Sequence, residues 1–183
     1  MSPGFPGLFV FAKLLERSSA SYQLMPKISA IIHAENDERR LGRALESLRA
    51  CDEVVVVDHA SKDRTREVAR EHGATIRIGV PGVEPGAYII DLRYDWILCI
   101  LPTEAVGESL EASLLEWKQH EHDSECGVGY CVAVREENDG GWRDLPAEMR
   151  LANRKKINWT DQLPPNNSPG QKLVGELLRF SKP

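Results

Sequence analysis

The sequence lacks several features that would assign it to common functional classes. Its 183 residues carry 23 Lys and Arg against 28 Asp and Glu, a formal charge of −5. This balance excludes broad nucleic-acid binding, which needs a clustered basic surface, but it allows a small anionic ligand. No apolar run approaches the ~20 residues of a membrane-spanning helix. We expect a cytoplasmic protein, with at most a peripheral membrane contact through Phe9, Phe11 and Leu14.

Metal and nucleotide motifs are also missing. There is no Cys-x-x-Cys pair, so the four cysteines predict free thiols in a reducing compartment rather than a zinc site. His120, His122 and Cys126 lie in a polar stretch that we interpret as a solvated loop. Neither G-x-G-x-x-G nor G-x-x-x-x-G-K-[ST] occurs, which disfavours a dehydrogenase or a P-loop enzyme.

Alternating strand and helix patterns begin at Lys27. Ile28 to Ile32 has the length of a strand, and Asn36 is predicted to cap the helix that follows it. The run Val54 to Val57 is typical of a parallel strand buried on both faces. Thr75 to Ile78 and Trp96 to Leu101 complete four strands. The pattern predicts one α/β domain, a Rossmann-like, mostly parallel sheet flanked by helices.

The remaining chain gives weaker patterns. We predict a helix over 104–120, a strand over 127–134, a hairpin formed by 149–153 and 157–159, and a short helix over 172–180. Residues 1–26 are proline- and serine-rich and are interpreted as a leader, either poorly ordered or upstream of the true start. The folded domain is then 27–183.

Ligands of such sheets bind at the carboxyl ends of the strands. That rule selects three segments: 33–37, 58–65 and 101–104. Asp58 ends a buried strand, where its carboxylate can accept hydrogen bonds from ribose hydroxyls or a base N–H. Ser61, Asp63 and Thr65 either contact the ligand or only fix the turn and cap the next helix.

Two motifs at these strand ends resemble family 2 glycosyltransferases of the GT-A fold, in particular bacterial enzymes of lipopolysaccharide and envelope-glycan assembly. The first motif is ISAIIHAENDE from Ile28. The second is CDEVVVVD, ending at Asp58 and followed by Ser61 and the triplet Asp63-Arg64-Thr65. The similarity continues through AREHGA at Ala69 to Ala74 and DWIL at Asp95, and it covers residues 27 to about 118.

The resemblance implies transfer of a sugar from a UDP- or dTDP-type donor to an envelope-glycan acceptor. It implies a nucleotide-binding part over about 27–104 and an acceptor-side part over about 105–183. The nucleotide-binding residues that it implies are Asn36, Asp37, Asp58, Ser61 and Asp63. His59 and Ala60 depart from the family pattern, which usually has a small or acidic residue and then glycine.

The sequence departs further where the family binds its metal. The family places Asp-x-Asp after the fourth strand to hold Mg²⁺ or Mn²⁺, but this chain has Leu101-Pro102-Thr103 there. Glu104 is the one remaining candidate metal ligand, so use of Mg²⁺ or Mn²⁺ is weakened. Arg93, Arg135 or Lys155 could neutralise the diphosphate instead. The apolar segment 88–94 is also shorter than its family counterpart.

An inverting transferase also needs a carboxylate that deprotonates the acceptor hydroxyl. The candidates are Glu136, Glu137, Asp139 and Asp144, for which a charged solvent loop is the alternative interpretation. The sequence therefore leaves three hypotheses: an active transferase, a catalytically degenerate relative that binds a nucleotide or a protein partner, and a structural domain with no ligand. The oligomeric state stays open.

Overall fold

The parallel strands predicted for the first half of the chain are present. The computed structural model describes residues 25–120, 127–165 and 171–181. Nearly all of the expected leader, together with His122 and Cys126, lies outside these residues. The first half contains β1 (Ile28–Ala34), α1 (Leu41–Glu46), β2 (Glu53–Asp58), α2 (Thr65–Glu71), β3 (Thr75–Ile78), a 3-10 helix (Pro85–Asp91) and β4 (Trp96–Cys99).

The second half extends the same sheet with strands of mixed direction. It contains β5 (Glu104–Val106), α3 (Glu108–Gln119), β6 (Gly129–Asn138), β7 (Gly141–Asn153) and β8 (Gln171–Arg179). The strand order is β3-β2-β1-β4-β7-β6-β8-β5. The strands β1 to β4 are parallel, and β7 joins β4 in the antiparallel direction. The result is the expected α/β domain, in which the parallel strands form one side of a single sheet.

Both faces of the parallel strands are buried, as the valine run predicts. Val56 belongs to the core beneath α1 and α2, whereas Val55 and Val57 pack on the opposite face with Ile31 and the 3-10 helix. Alternate residues of a strand point to opposite faces, so each strand contributes to two apolar layers. No helix of the described residues is long and apolar enough to cross a membrane.

Two predicted helix starts are wrong. Asn36 does not cap α1, which begins only at Leu41, because Asn36 has a φ of 56° and the chain makes an extra turn at Asp37. The helix predicted over 104–120 begins at Glu108, because residues 104–106 form β5 alongside β8. In both places the local pattern allows a helix, but contacts with distant segments hold the chain in another conformation.

The last two elements were also predicted wrongly. β7 forms its hairpin with β6, and not with 157–159, because the Arg154 guanidinium binds the carbonyls of Ile89 and Leu92 and draws the chain out of the sheet. Residues 171–179 form a strand between β6 and β5 instead of a helix. Gly175, with a φ of 96°, lets β8 pass against the start of α3, where a Cβ would lie 2.2 Å from the Leu110 nitrogen.

A buried ion-pair cluster fixes the end of β4 and the loop after it to strands of the second half. Glu104 is enclosed, and its two oxygens accept hydrogen bonds from both terminal nitrogens of Arg150, each at 2.8 Å. Arg179 donates to Glu104 Oε1 from Nε at 3.0 Å and from Nη2 at 2.9 Å. The Leu101 amide donates to Oε2 at 2.9 Å, so the loop after β4 is fixed to β7 and β8.

We predict that Glu104→Gln destabilises the fold. The substitution keeps the shape but leaves Arg150 and Arg179 short of negative charge in a buried position, which costs about 3 kcal/mol. The measurement is urea unfolding of the wild type and the variant. Asp144→Asn is the matched control, since Asp144 pairs with Arg135 at 3.1 Å while 84% of its side chain is exposed. The control should cost less than about 1 kcal/mol, and an equal loss in both variants would contradict the prediction.

Candidate functional site

An open pocket of about 330 Å³ lies at the carboxyl ends of β1, β2 and β4. This is the place where strand order reverses around β1, and in such sheets it is the usual ligand site. Residues at or after the ends of the three strands, together with Gln162, form its walls: His33, Ala34, Glu35, Asp37, Arg40, His59, Leu101, Pro102 and Thr103. The pocket therefore draws on the three segments that the strand-end rule selects.

Four of the five residues proposed to bind the nucleotide form hydrogen bonds between two loops. The Asn36 amide donates to Ser61 Oγ at 2.9 Å, and the Lys62 amide donates back to Asn36 Oδ1 at 2.9 Å. The Glu38 amide donates to Asp63 Oδ2 at 3.0 Å, and Asp37 Oδ2 accepts from the Glu35 amide at 2.9 Å. The structure brings these residues together, and the side chains of Asn36, Ser61 and Asp63 join the β1–α1 and β2–α2 loops.

Asp63 also organises the start of α2. Its Oδ1 accepts hydrogen bonds from the Thr65 amide and hydroxyl, and the Thr65 hydroxyl accepts from the Asp37 amide at 2.7 Å. Burial by itself would raise the pKa of Asp63, but these hydrogen bonds outweigh it and the pKa lies below its usual value. For Asp63 and Thr65 the geometry agrees with the turn-and-cap alternative.

Asp58 is buried beneath its own loop. Its Oδ2 accepts from the Ser61 amide at 3.3 Å and lies 3.5 Å from Arg66 Nε, while its Oδ1 is buried and has no hydrogen-bond partner. Asp58 follows Val56 on the helix-covered face, and it is absent from the pocket wall. A buried carboxylate oxygen without a hydrogen bond costs folding free energy. Asp58 Oδ1 is therefore an acceptor that lacks a hydrogen-bond donor.

Two histidines occupy the pocket wall at the ends of β1 and β2. His33 Nδ1 lies 2.9 Å from His59 Nε2, and the rings stack with centroids 5.2 Å apart. The Tyr88 ring meets both imidazoles edge-on, at 5.9 Å and 6.4 Å. Gly79 leaves the space for this arrangement, because a Cβ there would lie 2.6 Å from His59 Nδ1.

Sequence reasoning noted His59 only as a departure and missed the pair. The signal was strand alternation: His33 continues the face of Ile31, and His59 continues the face of Val57 on the neighbouring strand. Burial, reinforced by His59, lowers the pKa of His33 from 6.5 to about 4, while Asp161 opposes the shift. His33 is therefore neutral at pH 7.

The end of β4 does not fit a divalent cation. Leu101 and Pro102 line the pocket without side-chain ligand atoms, and both oxygens of Glu104 already accept from arginines. Glu104 as a metal ligand is therefore corrected, since these ion pairs enclose it away from the pocket. Within residues 25–120, 127–165 and 171–181, no three His, Cys, Asp or Glu side chains are arranged to hold a metal ion.

The other charged candidates lie away from this pocket. Glu136 pairs with Arg143 near the end of β6, Glu137 faces Trp142 across the hairpin, and Asp139 lies in the turn that follows. Arg93, Arg135 and Lys155 are also absent from the pocket wall, where Arg40 is the guanidinium present. Arg40 pairs with Asp37 at 2.7 Å. The guanidinium in the pocket wall is therefore one that the sequence did not single out, and it is already ion-paired.

The sequence of the pocket-forming half is similar to that of known glycosyltransferases. Residues 29–80, which contain β1, β2 and both of their loops, match the sequence profile of Glycosyl transferase family 2. An uncharacterized glycosyltransferase of Rickettsia typhi is 35% identical over 115 residues, which are 60% of this chain and 39% of that protein. The 4,4'-diaponeurosporenoate glycosyltransferase of Staphylococcus haemolyticus is 48% identical over 52 residues, or 27% and 14% of the two chains.

The structural comparison shows the fold. The chain superposes on glucosyl-3-phosphoglycerate synthase from Mycobacterium tuberculosis, crystallised with Mn²⁺, uridine diphosphate and glucosyl-3-phosphoglycerate, with a TM-score of 0.52. The alignment covers 100% of this chain and 80% of that one at 13% identity. The GT-A fold expected from the resemblance is confirmed. The chain spans about two fifths of the length of the Rickettsia relatives that it matches.

We predict that His33 makes the fold sensitive to acid. Because its pKa is about 4 in the folded protein and about 6.5 when unfolded, the unfolded chain takes up the proton first as pH falls. Stability is complete above about pH 6.5 and declines toward about pH 4, with a loss of about 1–2 kcal/mol between about pH 7.5 and about pH 5.

Urea unfolding at the two pH values measures this loss. His33→Asn should remove most of it, since asparagine does not titrate in this range. His120→Asn, at the exposed end of α3, should leave the loss unchanged. Identical acid sensitivity in the wild type and His33→Asn would show that other groups are responsible.

Proposed function

We propose that the chain binds a nucleotide-activated sugar at the pocket formed by β1, β2 and β4 and takes part in glycosyl transfer to an envelope-glycan acceptor. The nucleotide-binding part is about 27–104, and the acceptor side is about 105–183. The donor is of the UDP or dTDP type. Asn36, Asp37, Ser61 and Asp63 shape the two loops around the nucleoside, and Asp58 supplies an acceptor for a base N–H or ribose hydroxyl.

The observation that carries this proposal is the unpaired Asp58 Oδ1 within the family-matched segment. Every other polar atom named in the two loops has a partner, whereas this oxygen is buried without one. A donor from a bound nucleoside would satisfy it after a small opening of the 59–61 loop. Ala60, with a φ of 59°, is a strained point at which this loop can move.

A second candidate function is a nucleotide- or partner-binding module without turnover. It is favoured by the end of β4, where Leu101, Pro102 and Thr103 line the pocket and contribute no carboxylate. It is also favoured by the burial of Asp58 and Glu104, each 1% exposed, because neither carboxylate opens into the cleft. If the chain is instead an active transferase, its catalytic groups lie outside Leu101 to Glu104. Glu136, Glu137 and Asp139 remain the proposed bases.

Calorimetric titration with UDP-glucose and dTDP-glucose, with and without Mn²⁺, tests both functions. We expect binding of at least one nucleotide sugar that Mn²⁺ does not strengthen, because the end of β4 offers no ligand set. Release of free nucleotide in the presence of acceptor glycans separates the two candidates. No binding at millimolar nucleotide would contradict both, and binding strengthened by Mn²⁺ would contradict the assignment of a metal-free site.

We predict that Asp58→Asn weakens nucleotide binding at least about tenfold, because the change replaces one acceptor oxygen by a donor and removes the charge. The matched control is Asp91→Asn, an exposed aspartate at the end of the 3-10 helix, close to the start of β2 and away from the pocket. The control should bind as the wild type does. Unchanged affinity in Asp58→Asn would remove Asp58 from the site.

A further inference from the structure

The imidazoles of His33 and His59 form a coupled pair with a single shared hydrogen bond. Their facing nitrogens are 2.9 Å apart, so one N–H must lie between them. When both rings are neutral they carry two protons, one in the bridge and one on an outer nitrogen. A third proton makes both outer nitrogens donors and gives the pair one positive charge. A fourth would place two cations at hydrogen-bond distance, so the pair takes up only one charge.

The surroundings of the pair determine when that charge appears. Burial and His59 keep the pKa of His33 low, which holds the His33 ring neutral in the empty pocket. Tyr88 covers both rings from the 3-10 helix. The charged groups that face the pair from the adjoining segments are Asp161, Glu35 and the ion-paired Asp37 and Arg40. Only Arg40 among these groups is a cation, and Asp37 already neutralises it.

The pair also lies in the pocket beside the end of β4, where no metal site is available to neutralise a ligand's negative charge. His33 and His59 share one pocket with Leu101, Pro102 and Thr103, which replace the acidic residues of the family. A diphosphate entering this pocket carries charge that Leu101 and Pro102 cannot compensate with their side chains. One positive charge on a histidine pair in the pocket wall suits a phosphoryl oxygen.

We propose that the His33–His59 pair is an anion subsite that binds a phosphoryl group of the nucleotide sugar, with a proton taken from solvent supplying the charge that a divalent cation would supply. The inference rests on the proposed nucleotide site and adds its metal-free mode of phosphate recognition. No covalent bond forms or breaks, and one proton enters the pair as the ligand binds.

Calorimetry of UDP-glucose in EDTA from about pH 8 to about pH 5.5 tests this subsite. UDP-glucose is the probe because its diphosphate is esterified at both ends and lacks the terminal phosphate ionisation near pH 6. We expect affinity to rise as pH falls, approaching about tenfold per pH unit, which is the limit for one proton taken up. Titrations in two buffers of different ionisation enthalpy should show uptake of up to one proton.

The variants His33→Asn and His59→Gln keep a polar atom where Nδ1 and Nε2 stand, so the contact between the side chains is retained while the charge is lost. Both should bind UDP-glucose with little pH dependence and more weakly at low pH. His72→Asn is the matched control, since His72 bonds to Val68 and Glu46 outside the pocket and should leave the pH profile unchanged.

Uridine separates this inference from the proposed function. Uridine lacks phosphate, so its affinity should be the same at each pH and in every variant. Binding of uridine together with pH-independent binding of UDP-glucose would overturn the subsite and leave the nucleotide site in place. Absence of binding by both ligands would overturn the nucleotide site itself, and the subsite with it.

Discussion

The contact between Glu104 and Arg150 is the constraint on which the site depends. It places a full ion pair in the interior, where Arg150 is 0% exposed, and a second arginine, Arg179, shares the same carboxylate. Removing both charges from water is costly, and only the bidentate geometry and the added hydrogen bonds offset that cost. The loop after β4 is consequently fixed by protein cations on β7 and β8. The Glu104 carboxylate cannot face Arg150 and the pocket at once. The ion pair that fixes the loop after β4 therefore also keeps the last acidic group at the end of β4 out of the pocket.

Strand parity explains which residues reach the pocket. Asp58 and His59 are neighbours in sequence at the end of β2, but they lie on opposite faces of the sheet. Asp58 follows Val56 toward α2, where Arg66 and the Ser61 amide hold it, whereas His59 follows Val57 toward the 3-10 helix and stacks on His33. A residue's position at a strand end is therefore insufficient to assign it to a ligand. The face on which it lies decides whether it lines the pocket directly or lies beneath the loop that follows it.

The parallel half of the fold could be predicted because its signals are local. The valine run, Gly73 after α2 and the polar residues that end each strand all act within a few residues of the elements they specify. The mixed half could not be predicted, because β5 and β8 are strands only through pairing with distant segments, as with Glu104 and Arg179, which are 75 residues apart in sequence. The candidate site shows the same division. Its segments were predicted, but the roles of Asp58, His59 and Glu104 depend on partners in other elements.

The chemistry of the pocket follows from how its charge is distributed. A site built on two aspartates concentrates negative charge and needs a dication before it can accept a diphosphate. Here the end of β4 contributes no side-chain charge, Glu104 is neutralised by Arg150 and Arg179, and Asp37 is paired with Arg40. Glu35 and Asp161 add negative charge near the pair, so an anion needs an added positive charge to bind there, and one proton shared by two imidazoles provides it reversibly. The loss of the acidic motif and the presence of the histidine pair are then two parts of one electrostatic arrangement, in which protonation takes over the role of a bound cation.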